Sequence, residues 1–433
     1  MKKYHGHWLK RARLKRDVLQ KDLAGDRFTA SYINHIEKGN VKLSYNARKY
    51  ITKKLKLPKS YFDTGLFTEE KKRLEELTNE VDKLTDAFRY DEALKKVTEA
   101  LKISEEAKND DYINLFSLKL ARVLIEKKKY KKAEDILKKV NRYFQEEKDF
   151  KKLAYSYYWL AIIYMEKEKY TDSLFMFNKS IEINSKLKRK KDLSLKARGL
   201  TKIAQIYRQT QNYRGAKVKI KEAIKIAKAS KDDYILAMAY WEYGFLLLLI
   251  GEYEKSISYY EKAYPVYKAF GYIRHSLQIN NNLASLYHYI GSYDKAINLT
   301  KNTIKISKDK GYDEELAYAY LKGAKAKRDK ELLDEAEDDL NKSIILLKEL
   351  KDNRMLGEAY MALGLLYEKK KENDKAILNF NKAVELFKDI DIPDYLNSAY
   401  GEIIRFYKNI FNIDKEIENV VEKLINKTKK IIF

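Results

Sequence analysis

Cysteine is absent from the 433 residues, proline occurs 3 times and glycine 15 times. Without cysteine there are no disulfides and no thiolate metal sites, and a reducing compartment is permitted. Scarce Pro and Gly beside abundant Lys, Leu, Ala, Glu, Ile and Tyr favour long helices over sheets or disorder. The longest apolar run, Phe245 to Ile250, is far too short to span a bilayer. The opening Met1-Lys2-Lys3-Tyr4-His5-Gly6-His7 leads into no apolar core of signal-peptide length. The expectation is a soluble, cytoplasmic protein with no membrane partner.

Catalytic signatures are missing as well. The five histidines, at positions 5, 7, 35, 275 and 288, show no metal-ligand spacing. No P-loop, dinucleotide fingerprint, HExxH or nucleophile elbow occurs. Acidic pairs such as Asp338-Asp339 lie among lysines and read as solvated helix faces. We therefore expect no enzyme, no cofactor and no metal.

What is there begins with charge. The net charge is +25, and residues 1–60 hold 17 Lys/Arg against 4 Asp/Glu, a net of +13. The other 373 residues share only +12. Such asymmetry points to a polyanion-binding end module on a nearly balanced body, against the plainer reading of a solvated basic face.

Within that module several short amphipathic helices fit. One runs from about Trp8 to Arg16 with Leu9, Ala12 and Leu14 turned inward. A second begins near Leu19-Gln20 and includes Leu23 and Ala24. A third covers Thr29 to Glu37, with Ile33 and Ile36 buried, Thr29 as N-cap and Gly39 as its stop. A fourth follows Ser44 and carries Ala47, Tyr50, Ile51 and Leu55; a last short turn holds Tyr61-Phe62. A tight helix pair whose second member presents small polar side chains can enter the major groove of DNA.

The stretches Leu9-Lys10-Arg11-Ala12-Arg13, Leu19-Gln20-Lys21-Asp22-Leu23-Ala24 and Ser31-Tyr32-Ile33-Asn34-His35-Ile36-Glu37-Lys38-Gly39 resemble the phage-repressor-like (Cro/C1, XRE-type) helix-turn-helix family. The resemblance covers about residues 5–62. It implies that Gln20 contacts phosphate or base, that Thr29, Ala30, Ser31 and Asn34 face base edges, and that Lys38 lies on the backbone. Arg27, in the turn, joins this candidate DNA-binding set. Gly25-Asp26-Arg27-Phe28 departs from the usual Gly-plus-aliphatic turn, with Phe28 placed to take the aliphatic position. Tyr32, Ile33, Ile36 and Glu37 read as core or helix-fixing residues.

Beyond the module one beat recurs, opening at Tyr90, Tyr130, Tyr170, Tyr213, Tyr253, Tyr293, Leu333 and Asn373, with a weak echo at Ile413. The interval is 40 residues throughout, except for one of 43. Three residues after each opening stands a small residue, such as Ala93 or Ser173, and twelve residues before that stands a second, as in Ala161, Ala204, Gly244, Ala284, Ala324 and Gly364. Self-similarity at such a period marks a solenoid, in which no unit buries its apolar face alone. The pattern resembles tetratricopeptide repeats over about residues 70–430, with six residues more per unit than usual, which implies longer helices. The expected architecture is all-α: residues 1–66 as the helix-turn-helix domain and 67–433 as a right-handed superhelical solenoid of about nine repeats.

The tetratricopeptide resemblance implies that the first helix of each pair lines the concave surface. Counting from the upstream Ala/Gly, residues six before, three before, one after and four after should face the groove. They are Tyr155, Tyr158 and Ile162; then Arg198, Thr201, Gln205 and Arg208; then Met238, Trp241, Phe245 and Leu248. Next come Gln278, Asn281, Ser285 and His288, and after them Tyr318, Leu321, Lys325 and Arg328. Amides can pair with a peptide backbone, aromatics can take its side chains, and Arg can fork onto a carboxylate. Asn280-Asn281-Asn282 is the sharpest signal, because Asn is a poor mid-helix residue. The plainer reading is a polar solvated face, and Asn282 in particular can bond between repeats.

Together the two parts resemble the Gram-positive peptide-pheromone-sensing regulators (the Rap/Rgg/NprR/PlcR/PrgX group), most of all the NprR-like members. That resemblance implies a transcription factor that binds double-stranded DNA and a short signalling peptide and acts as a homodimer or higher homo-oligomer. Two alternatives stay open: a solenoid that binds a response-regulator protein, and a phage-type repressor without a peptide ligand.

Overall fold

In the computed structural model, residues 4–187, 192–389 and 393–411 are described, and among them there is no strand. The Ile413 echo lies outside the described residues. The chain divides into two compact units, Met1–Gln211 and Asn212–Phe433.

The first unit opens with five short helices: α1 (His5–Lys15), α2 (Gln20–Ala24), α3 (Ala30–Glu37), α4 (Tyr45–Lys54) and α5 (Tyr61–Thr64). Trp8, Leu9, Ala12, Leu23, Ile33, Ile36, Ala47, Ile51 and Phe62 form their shared core. The Thr29 hydroxyl caps α3 by accepting from the Tyr32 N–H, and the Ser44 hydroxyl caps α4 from the Ala47 N–H. Leu14 is 58% exposed, contrary to the sequence expectation. It sits two residues past Ala12, which at about 100° per residue turns it away from the core side of α1.

Seven longer helices complete this unit: α6 (Thr68–Asp86), α7 (Tyr90–Glu106), α8 (Asp110–Glu126), α9 (Tyr130–Glu146), α10 (Phe150–Glu166), α11 (Tyr170–Ser185) and α12 (Leu193–Gln209). The second unit contains α13 (Tyr213–Ser230), α14 (Asp233–Leu249), α15 (Tyr253–Ala269), α16 (Ile273–Tyr289), α17 (Tyr293–Lys310), α18 (Asp313–Asp329), α19 (Leu333–Leu350), α20 (Asn353–Lys369), α21 (Asn373–Asp389) and α22 (Pro393–Phe411). Every beat residue from Tyr90 to Asn373 is the first residue of a helix. The result is a helical-repeat solenoid of tetratricopeptide type.

The longer repeat follows from its two halves. Helices α6 to α22 run 16 to 19 residues. Each of the described turns between α6 and α21 holds one residue in left-handed backbone. Within each run these fall every 20 residues: Phe88, Lys108, Lys128, Lys148 and Glu168, and after them Gln211, in the first unit, and Lys231, Gly251, Gly271, Gly291, Gly311, Glu331, Lys351 and Lys371 in the second. In most of these turns the next N–H bonds back to a carbonyl five residues earlier, as Asn109 does to Ser104 at 2.9 Å and Ser292 to Tyr287 at 2.7 Å, whereas after Lys231 the Asp232 N–H donates to Ser230 Oγ at 3.3 Å. This satisfies carbonyls that the helix end would leave bare.

Small residues set the packing inside each pair. A Cβ at Gly364 would lie 2.4 Å from the Phe380 ring, so the ring closes onto bare backbone. Where the beat offers Ser instead of Ala, its hydroxyl donates to the small residue twelve before it: Ser173 to Ala161 O at 2.7 Å, Ser256 to Gly244 O at 2.6 Å. A further pairing recurs at one spacing. Lys179 lies over Tyr157, Lys262 over Tyr240, Lys342 over Tyr320 and Lys382 over Tyr360, at 4.5 to 6.0 Å from the ring centres. Each such cation–π contact adds about 0.5–1 kcal/mol at an exposed site. Within each unit first helices meet first helices, α8 with α6 and α10, α18 with α16 and α20.

Candidate functional site

In the amino-terminal module, Thr29, Ala30, Ser31 and Lys38 on α3, and Arg27 before it, are exposed, and Asn34 is half-buried. The helix is held from behind by one carboxylate. Glu37 accepts from Arg13 Nε at 2.6 Å and Arg13 Nη2 at 3.1 Å, and from Gln20 Nε2 at 2.8 Å. Arg13 also donates to Val18 O at 2.9 Å. Gln20 is thus tied by its amide N–H to α3, while the other side of the same network bounds a shallow depression lined by Lys10, Leu19, Asn34 and Lys38. Phe28 is half-buried and stacks on Tyr32 at 5.2 Å and edge-on to Tyr50 at 5.4 Å, as its place in the turn suggested.

The module is bonded to the first repeat at several points. Trp8 Nε1 donates to Ala107 O at 2.6 Å, and Asn109 Nδ2 to Thr64 O at 2.7 Å. Arg11 forks onto Glu70 at 2.7 and 3.1 Å and reaches Gly65 O at 2.8 Å. Burial alone would raise the Glu70 carboxyl, but Arg11, Lys15 and the Phe67 N–H hold it below its usual range. Gly65 has φ +72°, and a Cβ there would fall 2.2 Å from Trp8 Nε1, so only glycine fits this junction.

On the first-helix row of the first unit, Tyr158 and Thr201 are buried. The Tyr158 ring packs edge-on against Phe177 at 5.5 Å, and Thr201 Oγ1 donates to Ala197 O at 2.9 Å. Arg198, Gln205 and Arg208 are half-buried, and Gln205 Oε1 accepts from Lys202 at 3.0 Å.

In the second unit Met238, Trp241 and Phe245 are half-buried. Trp241 stands edge-on to Tyr267 at 5.6 Å and to His275 at 5.3 Å. The next helices carry the polar positions, and each is bonded across or along the row. Gln278 Nε2 donates to Glu315 Oε1 at 3.0 Å, Asn281 Nδ2 to Glu315 O at 3.1 Å, and Ser285 Oγ to Asn281 O at 3.2 Å. His288 Nε2 lies 2.7 Å from Asp329, and Tyr318 OH donates to Asp352 at 2.6 Å. Lys325 lies 3.2 Å from Glu358. Asn282 donates to Tyr260 OH on α15 at 3.1 Å, a bond between repeats. Burial by itself would raise the Glu358 carboxyl, yet Lys322, Lys325 and Arg354 bring it down to about 2.

Arg274 and Glu315 belong to this wall and were not among the expected residues. Arg274 Nε donates to Glu315 Oε1 at 2.7 Å. Glu315 stands nine residues before Ala324, one turn beyond the positions counted toward the groove. The signal was available in the register: the same place holds Leu195, Ile235 and Met355 in three other repeats, Lys152 and His275 in two more, and an acid in this one.

Residues 234–309 match a tetratricopeptide-repeat family model, and 154–187 and 357–390 match a second one. Residues 43–127 and 89–169 match the model for anaphase-promoting complex subunit 5. No curated protein sequence matches the chain. Among solved structures, the apo form of the quorum sensor NprR from B. thuringiensis is 17% identical over 83% of this chain and 98% of that one, with a TM-score of 0.60. A signal transduction ATPase with numerous domains and a tetratricopeptide repeat sensor, from Pyrococcus horikoshii, is 16% identical over 100% of this chain and 66% of that one, with a TM-score of 0.54. A Rap protein complexed with competence and sporulation factor is 16% identical over 79% and 99%, with a TM-score of 0.50. At these identities the likeness is one of fold. Among the described residues no helix is long and apolar enough to cross a membrane.

Proposed function

We propose that this chain is a peptide-responsive transcriptional regulator. Residues 1–66 read DNA and residues 67–433 form the sensor, whose first-helix row takes a short peptide. The observation that carries the reading is α3: its outer face offers exposed Thr29, Ala30, Ser31 and Lys38 from a module of net charge +13, while Glu37 fixes it from behind. Small polar side chains reach base edges, and the surrounding Lys and Arg take phosphates. The amide and aromatic residues of α14, α16 and α18 suit an extended peptide, whose backbone needs both donors and acceptors. That a quorum sensor shares the repeat fold supports the same reading.

Two copies on adjacent half-sites would raise a weak single affinity, so the active species is a homodimer. Selection from a random duplex DNA library tests the reading. The wild type should enrich a two-fold-related consensus that Asn34→Ala and Ser31→Ala relax. Recovery of unenriched sequence by the wild type would overturn DNA reading by this module.

A further inference from the structure

Nine residues before the inner small residue, the second unit places buried aliphatics in two of its helices, Ile235 in α14 and Met355 in α20. In α18 that position is Glu315, with no exposure at all. Its Oε1 is used by Arg274 and Gln278, and its backbone carbonyl by Asn281. Its Oε2 is buried with no donor, and so is Oδ1 of Asn281, a residue only 3% exposed. The Asn281 amide cannot be turned to relieve this, because its NH2 faces a carbonyl, which only accepts. Two acceptors, one of them anionic, therefore stand without donors in the same wall between α16 and α18.

A core has cheaper solutions. A buried acceptor left without a donor is destabilising, and an aliphatic residue of similar volume is commonly as stable or more so. An acid in the first turn of α18 suits the helix dipole, but Asp313 and Glu314 already supply that charge. One oxygen of the Glu315 carboxylate ties Arg274 and Gln278 across the repeats, and the other is left without a structural partner.

We infer that Glu315 and Asn281 form a specificity subsite for a basic side chain of the bound peptide. Glu315 Oε2 accepts from the peptide's guanidinium or ammonium group, and Asn281 Oδ1 from an adjacent peptide N–H. Arg274 is half exposed and also pairs with Glu314, so it can yield room at Glu315 without losing its ion pair. This rests on the peptide-binding reading above and adds the class of side chain that the groove selects.

The test uses the full chain and fluorescent pools of short random peptides, each with one position fixed. Arginine is compared with citrulline, and lysine with norleucine, so that charge is lost while length is kept. Wild type should prefer one basic pool by roughly ten- to a hundredfold, the range of a hydrogen bond to a charged group. Glu315→Met should abolish the preference while the chain melts no lower than wild type. Glu315→Gln, whose amide oxygen keeps Arg274 and Gln278 bonded, reads the same preference should the Met variant fail to fold. Pools that bind wild type without favouring the basic residue, or a preference that survives in both variants, would overturn the subsite and leave peptide binding standing. Failure of every pool to bind wild type would sink the peptide reading and the subsite together.

Discussion

The face of α3 and the wall between α16 and α18 are built in opposite ways. On α3 the candidate contact residues point outward into solvent and the polar network lies behind them, on Arg13, Gln20 and Glu37. In the wall, Gln278, Asn281, Ser285 and His288 already hold partners from their own chain. A surface of the first kind binds by adding contacts. One of the second kind binds by exchanging them, which favours a ligand able to replace each bond it breaks.

Glu37→Ala should break this contrast most severely. It strips a buried Arg13 of its partner and frees Gln20, with about 3–5 kcal/mol lost from the module. Hydrogen exchange should show α1 to α3 opening while α14 to α20 keep their protection; unchanged exchange in α3 would contradict the support role. On the outer face the reverse holds. Asn34→Ala and Ser31→Ala should each cost about 1–3 kcal/mol in specific DNA binding with the melting temperature hardly moved. A drop in stability equal to the loss in binding would mean that these side chains support the helix instead.

Asn281→Ala leaves the Glu315 carbonyl without its donor but also deletes an unpaired oxygen. The net stability change should be small, about 1 kcal/mol, while binding of the basic peptide pool falls. At the turns, Lys128→Gly should stabilise by about 1 kcal/mol, because Lys128 holds φ +56° at a conformational cost that glycine does not bear. Gly251→Lys is the mirror experiment, and an equal loss there is expected.

A further effect is one of pH. Glu358 has its carboxyl lowered from 4.5 to about 2, so its contribution is complete above pH 4.5 and disappears as pH falls toward 2. Glu358→Gln should flatten the stability profile in that window and lower stability above it, where the wild type has the full contribution. An unchanged acid limb would show that Lys322 and Lys325 do not stabilise the charged form.

The architecture was legible because a packing constraint repeats. Each unit needs a small residue where a ring crosses, as Phe380 does at Gly364, and a helix start just before it, so the beat appears in the residues themselves. The turns were less legible: Lys, Glu and Gln take left-handed backbone here as Gly does, and nothing in their identity announces it. Leu14 misled because an apolar residue in a short helix need not share the core side of its neighbours. Glu315 could be seen only by comparing one register position across repeats.

The sequence by itself determined the period, the helix starts, the small-residue seams and the concentration of positive charge in the first sixty residues. These are local or repeating properties, carried by residues a few positions apart. Only the tertiary structure decided which polar side chains of the first-helix row are already paired. Asn281 meets Glu315, Tyr318 meets Asp352 and His288 meets Asp329, each across roughly one repeat of chain. A helix face can be read from its own residues, but its hydrogen bonds depend on what the next repeat places opposite, and that is set by the stacking.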